Sequence, residues 1–157
     1  MFVVFDLDGT LRDPKNRVDQ YITGQQEIDW DAFFLACDTD TPIAQTISVL
    51  KSLILDGHRV EIWSGCCEIA REKSKQWLRA QDVETYDPEC LKQFSRSPFA
   101  IPLIMRKRGD RTDDDELKPS WVELRGRPDL VFEDRNRVVE AWRKMGIMTF
   151  HVADGNF

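Results

Sequence analysis

Apolar residues in this chain fall into short unbroken runs, separated by stretches in which they return at helical spacing. Residues 2–5, Phe-Val-Val-Phe, carry no polar side chain, as expected of a strand covered on both faces. Four later runs read the same way: "HRVEIWSG" at 58–65, "AIPLIM" at 100–105, "DLVFED" at 129–134 and "IMTFHV" at 147–152. Between them lie amphipathic segments. "TPIAQTISVLKSLILDG" at 41–57 predicts a helix with Thr41 as N-cap, Pro42 at the first position and Gly57 as its stop. "CEIAREKSKQWLRAQ" at 67–81, "PSWVELRG" at 119–126 and "RNRVVEAWRKMG" at 135–146 predict three more, the last two closing on Gly126 and Gly146. Residues 106–116, "RKRGDRTDDDE", read as a polar loop. Residues 11–40 read as polar and irregular around one amphipathic piece, "IDWDAFFLAC".

This alternation predicts a single α/β domain over 1–157: a central, mainly parallel sheet flanked by helices in three Rossmann-like layers, joined by right-handed crossovers. Residues 11–40 would form a small cap-like insertion or loop region. In such a sheet a ligand lies beyond the carboxyl ends of the strands. The polar residues that follow the strands should therefore converge: Asp6 and Asp8, Ser64 and Gly65, the Arg106–Lys118 region, and Glu133 with Asp134.

Three aspartates with a glutamate beside them repel one another when gathered at one point, so such a cluster implies a cation. Oxygen donors without His or Cys at ligand spacing select a hard ion and favour Mg²⁺. Magnesium readily bridges to phosphate, which points to a phosphoryl substrate. Thr10 and Ser64 add hydroxyls, Gly9 and Gly65 let backbone N–H groups approach an anion, and Lys118 adds a positive charge. Lys118 precedes Pro119, which predicts that it stands outside a helix, at the start of the next one.

The composition narrows the alternatives. The 157 residues include four cysteines (37, 66, 67 and 90) without paired C-x-x-C spacing, which argues against structural zinc and a disulfide framework. A net charge of −6 does not favour tight non-specific nucleic-acid binding, and "RKRGDR" at 106–111 is the one candidate basic patch. No stretch has the length of a membrane span and the short apolar start lacks a basic flank. These features point to the cytoplasm, that of a host if the chain is phage-encoded, with no membrane partner and no obligate protein partner. A cysteine phosphatase is ruled out because Arg71 follows Cys66 after too short a loop to cradle phosphate. Trp77, Trp121 and Trp142 read as core, whereas Trp30, Phe33 and Phe34 fit either the core or a site entrance.

"DLDGT" at 6–10, a strand ending in Ser64-Gly65, Lys118 and the late pair Glu133-Asp134 resemble, in order, the motifs of the haloacid dehalogenase superfamily of phosphohydrolases. "CDTD" at 37–40, "PLIM" at 102–105, "RGD…DD" within 108–114, "RVVEAWRKMGI" at 137–147 and "VADGNF" at 152–157 further resemble the phosphatase domain of phage polynucleotide kinase–phosphatase. The resemblance implies that Asp6 is a nucleophile forming an aspartyl-phosphate, and that Asp8 protonates the leaving alcohol and then activates water. It implies phosphate contacts from Thr10, Ser64 and Gly65, charge compensation from Lys118, and functional roles for Arg106 and Asp114. It places Mg²⁺ on Asp6, the Asp8 carbonyl and Asp134, with Glu133 in support. The substrate implied is a 3′-phosphorylated polynucleotide or nucleotide end. A small-molecule phosphatase, for example on nucleoside monophosphates, and a catalytically weak binding module of the same fold are the alternatives. The chain departs from the pattern where Ser-Gly-Arg is replaced by Ser64-Gly65-Cys66, with Arg71 and Arg106 as candidate substitutes. Residues 82–100 are longer than the corresponding part of that domain and are expected to shape access to the site.

Overall fold

The computed structural model describes residues 1–90 and 97–155. Six parallel strands form one sheet in the order β5-β6-β4-β1-β7-β8. Strand β1 (Phe2–Phe5) lies at its centre and is followed by a small ribbon of β2 (Arg12–Asp13) and β3 (Thr41–Pro42). Between β2 and β3 come α1 (Lys15–Tyr21), α2 (Trp30–Leu35) and a 3₁₀ turn at Ala36–Thr39. Helix α3 (Ala44–Leu55) leads to β4 (Arg59–Cys67), and α4 (Arg71–Ala80) leads to β5 (Thr85–Tyr86) and β6 (Ile101–Arg106). Then follow α5 (Asp114–Ser120), α6 (Val122–Arg125), β7 (Leu130–Arg135), α7 (Asn136–Lys144) and β8 (Met148–Gly155).

The unbroken apolar runs are buried on both faces, as their composition predicts. Val3 and Phe5 point into one core with Ile47, Leu50, Ile62, Leu78 and Leu103. Phe2 and Val4, one residue out of phase, point into the other with Trp63, Val131, Val138 and Trp142. Helices α3 and α4 cover the first face, and α7 with the Trp121–Val122 junction covers the second. Trp77 and Trp142 are core residues as predicted, and Trp121 is half-buried against Trp63.

The structure corrects the boundaries at four places. Thr41 and Pro42 do not cap α3. They pair with Asp13 and Arg12, the Ile43 N–H donates to the Leu11 carbonyl, and the helix begins two residues after Pro42. Helix α5 starts at Asp114, inside the expected loop, so Lys118 and Pro119 are both helical. Three acidic residues in its first turn suit the positive end of the helix dipole, and Pro119 forfeits a single backbone bond near the helix end. Residues 15–21, read as irregular, are helical, and Thr85–Tyr86 adds an edge strand that the pattern does not announce. Of the 82–100 stretch, residues 91–96 lie outside the described residues, as do the last two residues of "VADGNF". Its described part divides: Glu89 meets Lys107, whereas Pro98–Ala100 line a cavity beside Arg59 and Glu61 at the amino end of β4.

Candidate active site

Strand β1 ends at Phe5, so Asp6 is the first side chain beyond the sheet's carboxyl edge, and β4, β6 and β7 end beside it. A cavity of about 950 Å³ opens there. Its wall includes Asp6, Asp8, Gly65, Cys66, Arg106, Asp114, Lys118, Glu133 and Asp134. The strand-end residues singled out in the sequence thus converge, with two exceptions. Thr10 and Ser64 are fully buried behind the wall. The Thr10 hydroxyl donates to Asp134 at 3.4 Å, and Ser64 Oγ accepts from the Cys66 N–H at 3.1 Å.

At the floor, Lys118 Nζ donates to Asp6 Oδ1 and to Glu133 Oε2, each at 2.6 Å. Asp6, Glu133 and Asp134 each bring an oxygen within 4.8 Å of the others, and all three are buried. Burial, with the neighbouring Glu133 and Asp134 charges, pushes the Asp6 carboxyl well above the ordinary carboxylate range, and Lys118 opposes that push. Burial and the Glu133 charge raise the Asp134 carboxyl to about 7. Burial works against the Lys118 ammonium, yet the carboxylates of Asp6 and Glu133 hold it charged well above the usual range. Oxygen-only donors, crowded and reluctant to ionise together, fit a hard divalent cation. The Asp8 side chain lies outside this group.

Asp8, in the same cavity wall, turns one oxygen into a buried cluster of charge. Arg12 Nε donates to Asp8 Oδ1 at 2.5 Å, and Arg17 Nη2 lies 2.8 Å from the same oxygen. Arg17 Nε also donates to both oxygens of Asp40 at 2.9 Å, and its guanidinium lies 4.5 Å from the Phe33 ring centre. Burial opposes ionisation of Asp8, but the two arginines hold its carboxyl well below the usual range.

A third set shapes the rim. Arg106 Nη2 donates to Asp114 Oδ1 at 2.5 Å, Arg135 donates to the other Asp114 oxygen, and Arg106 Nε donates to the Gly65 carbonyl at 2.8 Å. Asp114 is held below the usual range despite its burial by Lys118, Arg135 and Arg106. Two glycines are fixed by close approach. A Cβ at Gly65 would overlap the Asp114 carboxylate, and one at Gly9, whose φ is +88°, would overlap that of Asp134. Trp30 is half-exposed and lines the cavity mouth with Phe33 and Phe34.

Of the two substitutes considered for the missing arginine, Arg106 is in the cavity wall and Arg71 is not. Arg71 donates to the Leu103 carbonyl at 2.7 Å and pairs with Asp87. Sequence reasoning missed Arg12, Arg17 and Asp40 as site residues. The i,i+4 spacing of Asp8 and Arg12 was a signal, but nothing local marks Arg17, which meets Asp8 only after the chain turns through α1.

Among solved structures the chain is similar to one of a Pnkp1/Rnl/Hen1 complex, at 25% identity and a TM-score of 0.73, over 99% of this chain and 46% of that one. A second, of the Pnkp1/Rnl/Hen1 RNA repair complex, matches at 24% identity and a TM-score of 0.71, over 99% and 43%. A haloacid dehalogenase-like hydrolase from Streptococcus pneumoniae shares the fold at 12% identity and a TM-score of 0.58, over 94% and 81%. The chain thus spans less than half the length of the two repair-complex chains it matches. Residues 1–157 match the family model of the polynucleotide kinase PNKP phosphatase domain, and with these motifs in one cavity on this fold the chain belongs to that family of haloacid dehalogenase-type phosphatases.

Proposed function

We propose that this chain is a Mg²⁺-dependent phosphomonoesterase that removes the 3′-phosphate from a polynucleotide or nucleotide end through an aspartyl-phosphate. The observation that carries the reading is the buried Lys118–Asp6 pair at 2.6 Å, in a cavity whose wall also holds Asp8. An Asp6 oxygen attacks phosphorus and the bond from phosphorus to the sugar oxygen breaks. Asp8, ionised beside its two arginines in the free site, enters this step carrying a proton taken up as the phosphate anion binds next to it, and gives that proton to the departing alkoxide. Asp8 then takes a proton from water as the water oxygen attacks the aspartyl-phosphate, which releases inorganic phosphate and restores Asp6. Lys118 offsets the charge carried by Asp6 and the phosphoryl group throughout. Gly65 and Arg106 lie where phosphate oxygens would be received, Asp114 orients Arg106, and Thr10 supports Asp134. Asp6, Asp134 and the Asp8 carbonyl would hold Mg²⁺ with support from Glu133, and the bound ion would neutralise the carboxylates and polarise the phosphate.

The test measures inorganic phosphate released from matched 3′- and 5′-phosphorylated oligonucleotides and from nucleoside monophosphates, with magnesium or with a chelator. Turnover of the 3′-phosphorylated oligonucleotide that needs magnesium and disappears in Asp6→Asn is expected. Undiminished turnover in Asp6→Asn overturns the mechanism, and preference for a mononucleotide or a 5′-end overturns the substrate assignment.

A further inference from the structure

Position 66, where the resembling domain carries arginine, holds a cysteine that is almost wholly buried. Arg12 is buried within electrostatic reach of it. Its side chain is fully buried, and Nη1 donates at 3.3 Å to Ser74 Oγ, which lies 3.7 Å from the Cys37 sulfur. The guanidinium lies 5.7 Å from the Trp77 ring centre, and Nε is 3.3 Å from Asp40. A side chain so enclosed has one functional outlet, the 2.5 Å bond to Asp8 Oδ1.

We infer that Arg12 is a positioning residue for Asp8, placing from the first loop the guanidinium that position 66 does not supply. The inference rests on the phosphomonoesterase reading and deepens it. Arg12 and Arg17 both meet Oδ1, so Oδ2 of Asp8 is the oxygen left to exchange a proton with the leaving group and with water. The Asp8 side chain keeps 19% of its surface exposed, at the cavity wall. Two guanidinium groups on one oxygen fix the rotation of the carboxylate, because each of them is itself anchored on Asp40. Without Arg12 the single contact from Arg17 leaves that rotation loose, and proton transfer from Asp8 loses its aim.

The leaving group separates this role from a structural one. A sugar alkoxide needs the proton from Asp8, whereas p-nitrophenolate departs without it. The ratio kcat/KM reports on steps through cleavage of the phosphorus–oxygen bond. In Arg12→Ala, kcat/KM for a 3′-phosphorylated oligonucleotide should fall about 10²-fold or more, the scale of general acid catalysis, while that for p-nitrophenyl phosphate falls much less. Arg12→Lys, which keeps the charge but not the fork, should show the same asymmetry and supplies the comparison where Arg12→Ala does not fold. In Arg12→Ala/Cys66→Arg the oligonucleotide activity should return, since the new guanidinium starts from the wall of the cavity that Asp8 also lines. Equal losses on both substrates, or no recovery in the double variant, overturn the positioning role and leave the phosphatase reading standing. A wild-type chain that hydrolyses neither ester with magnesium overturns both.

Discussion

Lys118 carries more of this site than any other single residue, because two buried carboxylates depend on it. Removing one partner of a buried ion pair leaves the other charge uncompensated, at a cost of about 3–5 kcal/mol. Lys118→Met should lose about that much folding free energy near neutral pH without divalent metal, read by urea unfolding, and should lose turnover as well. Asp134 gives a pH signature of opposite origin. Its carboxyl moves from an ordinary 3.8 to about 7 in the folded chain, with burial first and Glu133 second among the causes. A group whose pKa is raised on folding contributes stability that is complete below the unfolded value and is lost as pH rises through the folded one. The metal-free protein should therefore gain Tm as pH falls from about 8 towards 5. Asp134→Asn should raise Tm at pH 8 and flatten that slope, and a steeper slope in the variant would contradict the assignment.

At the scale of elements, the unbroken runs were legible because burial on both faces forces a strand to exclude polar residues, and β1 and β7 fall where the pattern places them. Helix α5 was not legible from local propensity. Pro119 argues against helix at Lys118, but the partners of Lys118 are Asp6, just beyond β1 and far away in the chain, and Glu133 in β7. The same limit hid Arg17, whose partners Asp8 and Asp40 meet only through the β2–β3 ribbon. The glycine in the Ser-Gly motif was legible as chemistry, but its physical reason lies in the packing of α5 against the end of β4. The strand shifts register between Ser64 and Cys67, and the Asp114 carboxylate sits where a Gly65 side chain would be. Gly65→Ala must push Asp114 away and with it Arg106, which is tied to both. We expect KM for the phosphorylated oligonucleotide to rise about tenfold, equivalent to 1.4 kcal/mol, with a smaller effect on kcat. A fall in kcat at unchanged KM would show that the Arg106–Asp114 pair does not serve substrate binding.

The whole molecule sets how a nucleic-acid end can be engaged. The net charge is −6, and among the described residues the cavity wall holds seven basic against eight acidic side chains, so these make no broad positive field along it. Most of the basic rim is already paired within the protein. Arg106 and Arg135 meet Asp114, Lys107 meets Glu89, Arg108 meets Asp31, and Arg137 meets Asp113. A strand laid along the rim would exchange these internal pairs for phosphate contacts and release few counterions. Each single-strand phosphate neutralised contributes a slope of about 0.7 to the dependence of log affinity on log salt. A tract-binding enzyme with five or six such contacts would show a slope of about 4. This chain should show a slope of about 1 to 2 in log KM against log salt for a 3′-phosphorylated oligonucleotide. On the proposed function, the slope should not grow when the oligonucleotide is lengthened beyond a few residues, because that reading confines recognition to the terminal phosphate and to the part of the cavity lined by Trp30, Phe33 and Phe34. Steady-state kinetics on a length series at several salt concentrations measures this directly. A slope that climbs with length would mean that the strand reaches basic residues outside the cavity, and would replace end recognition by tract binding.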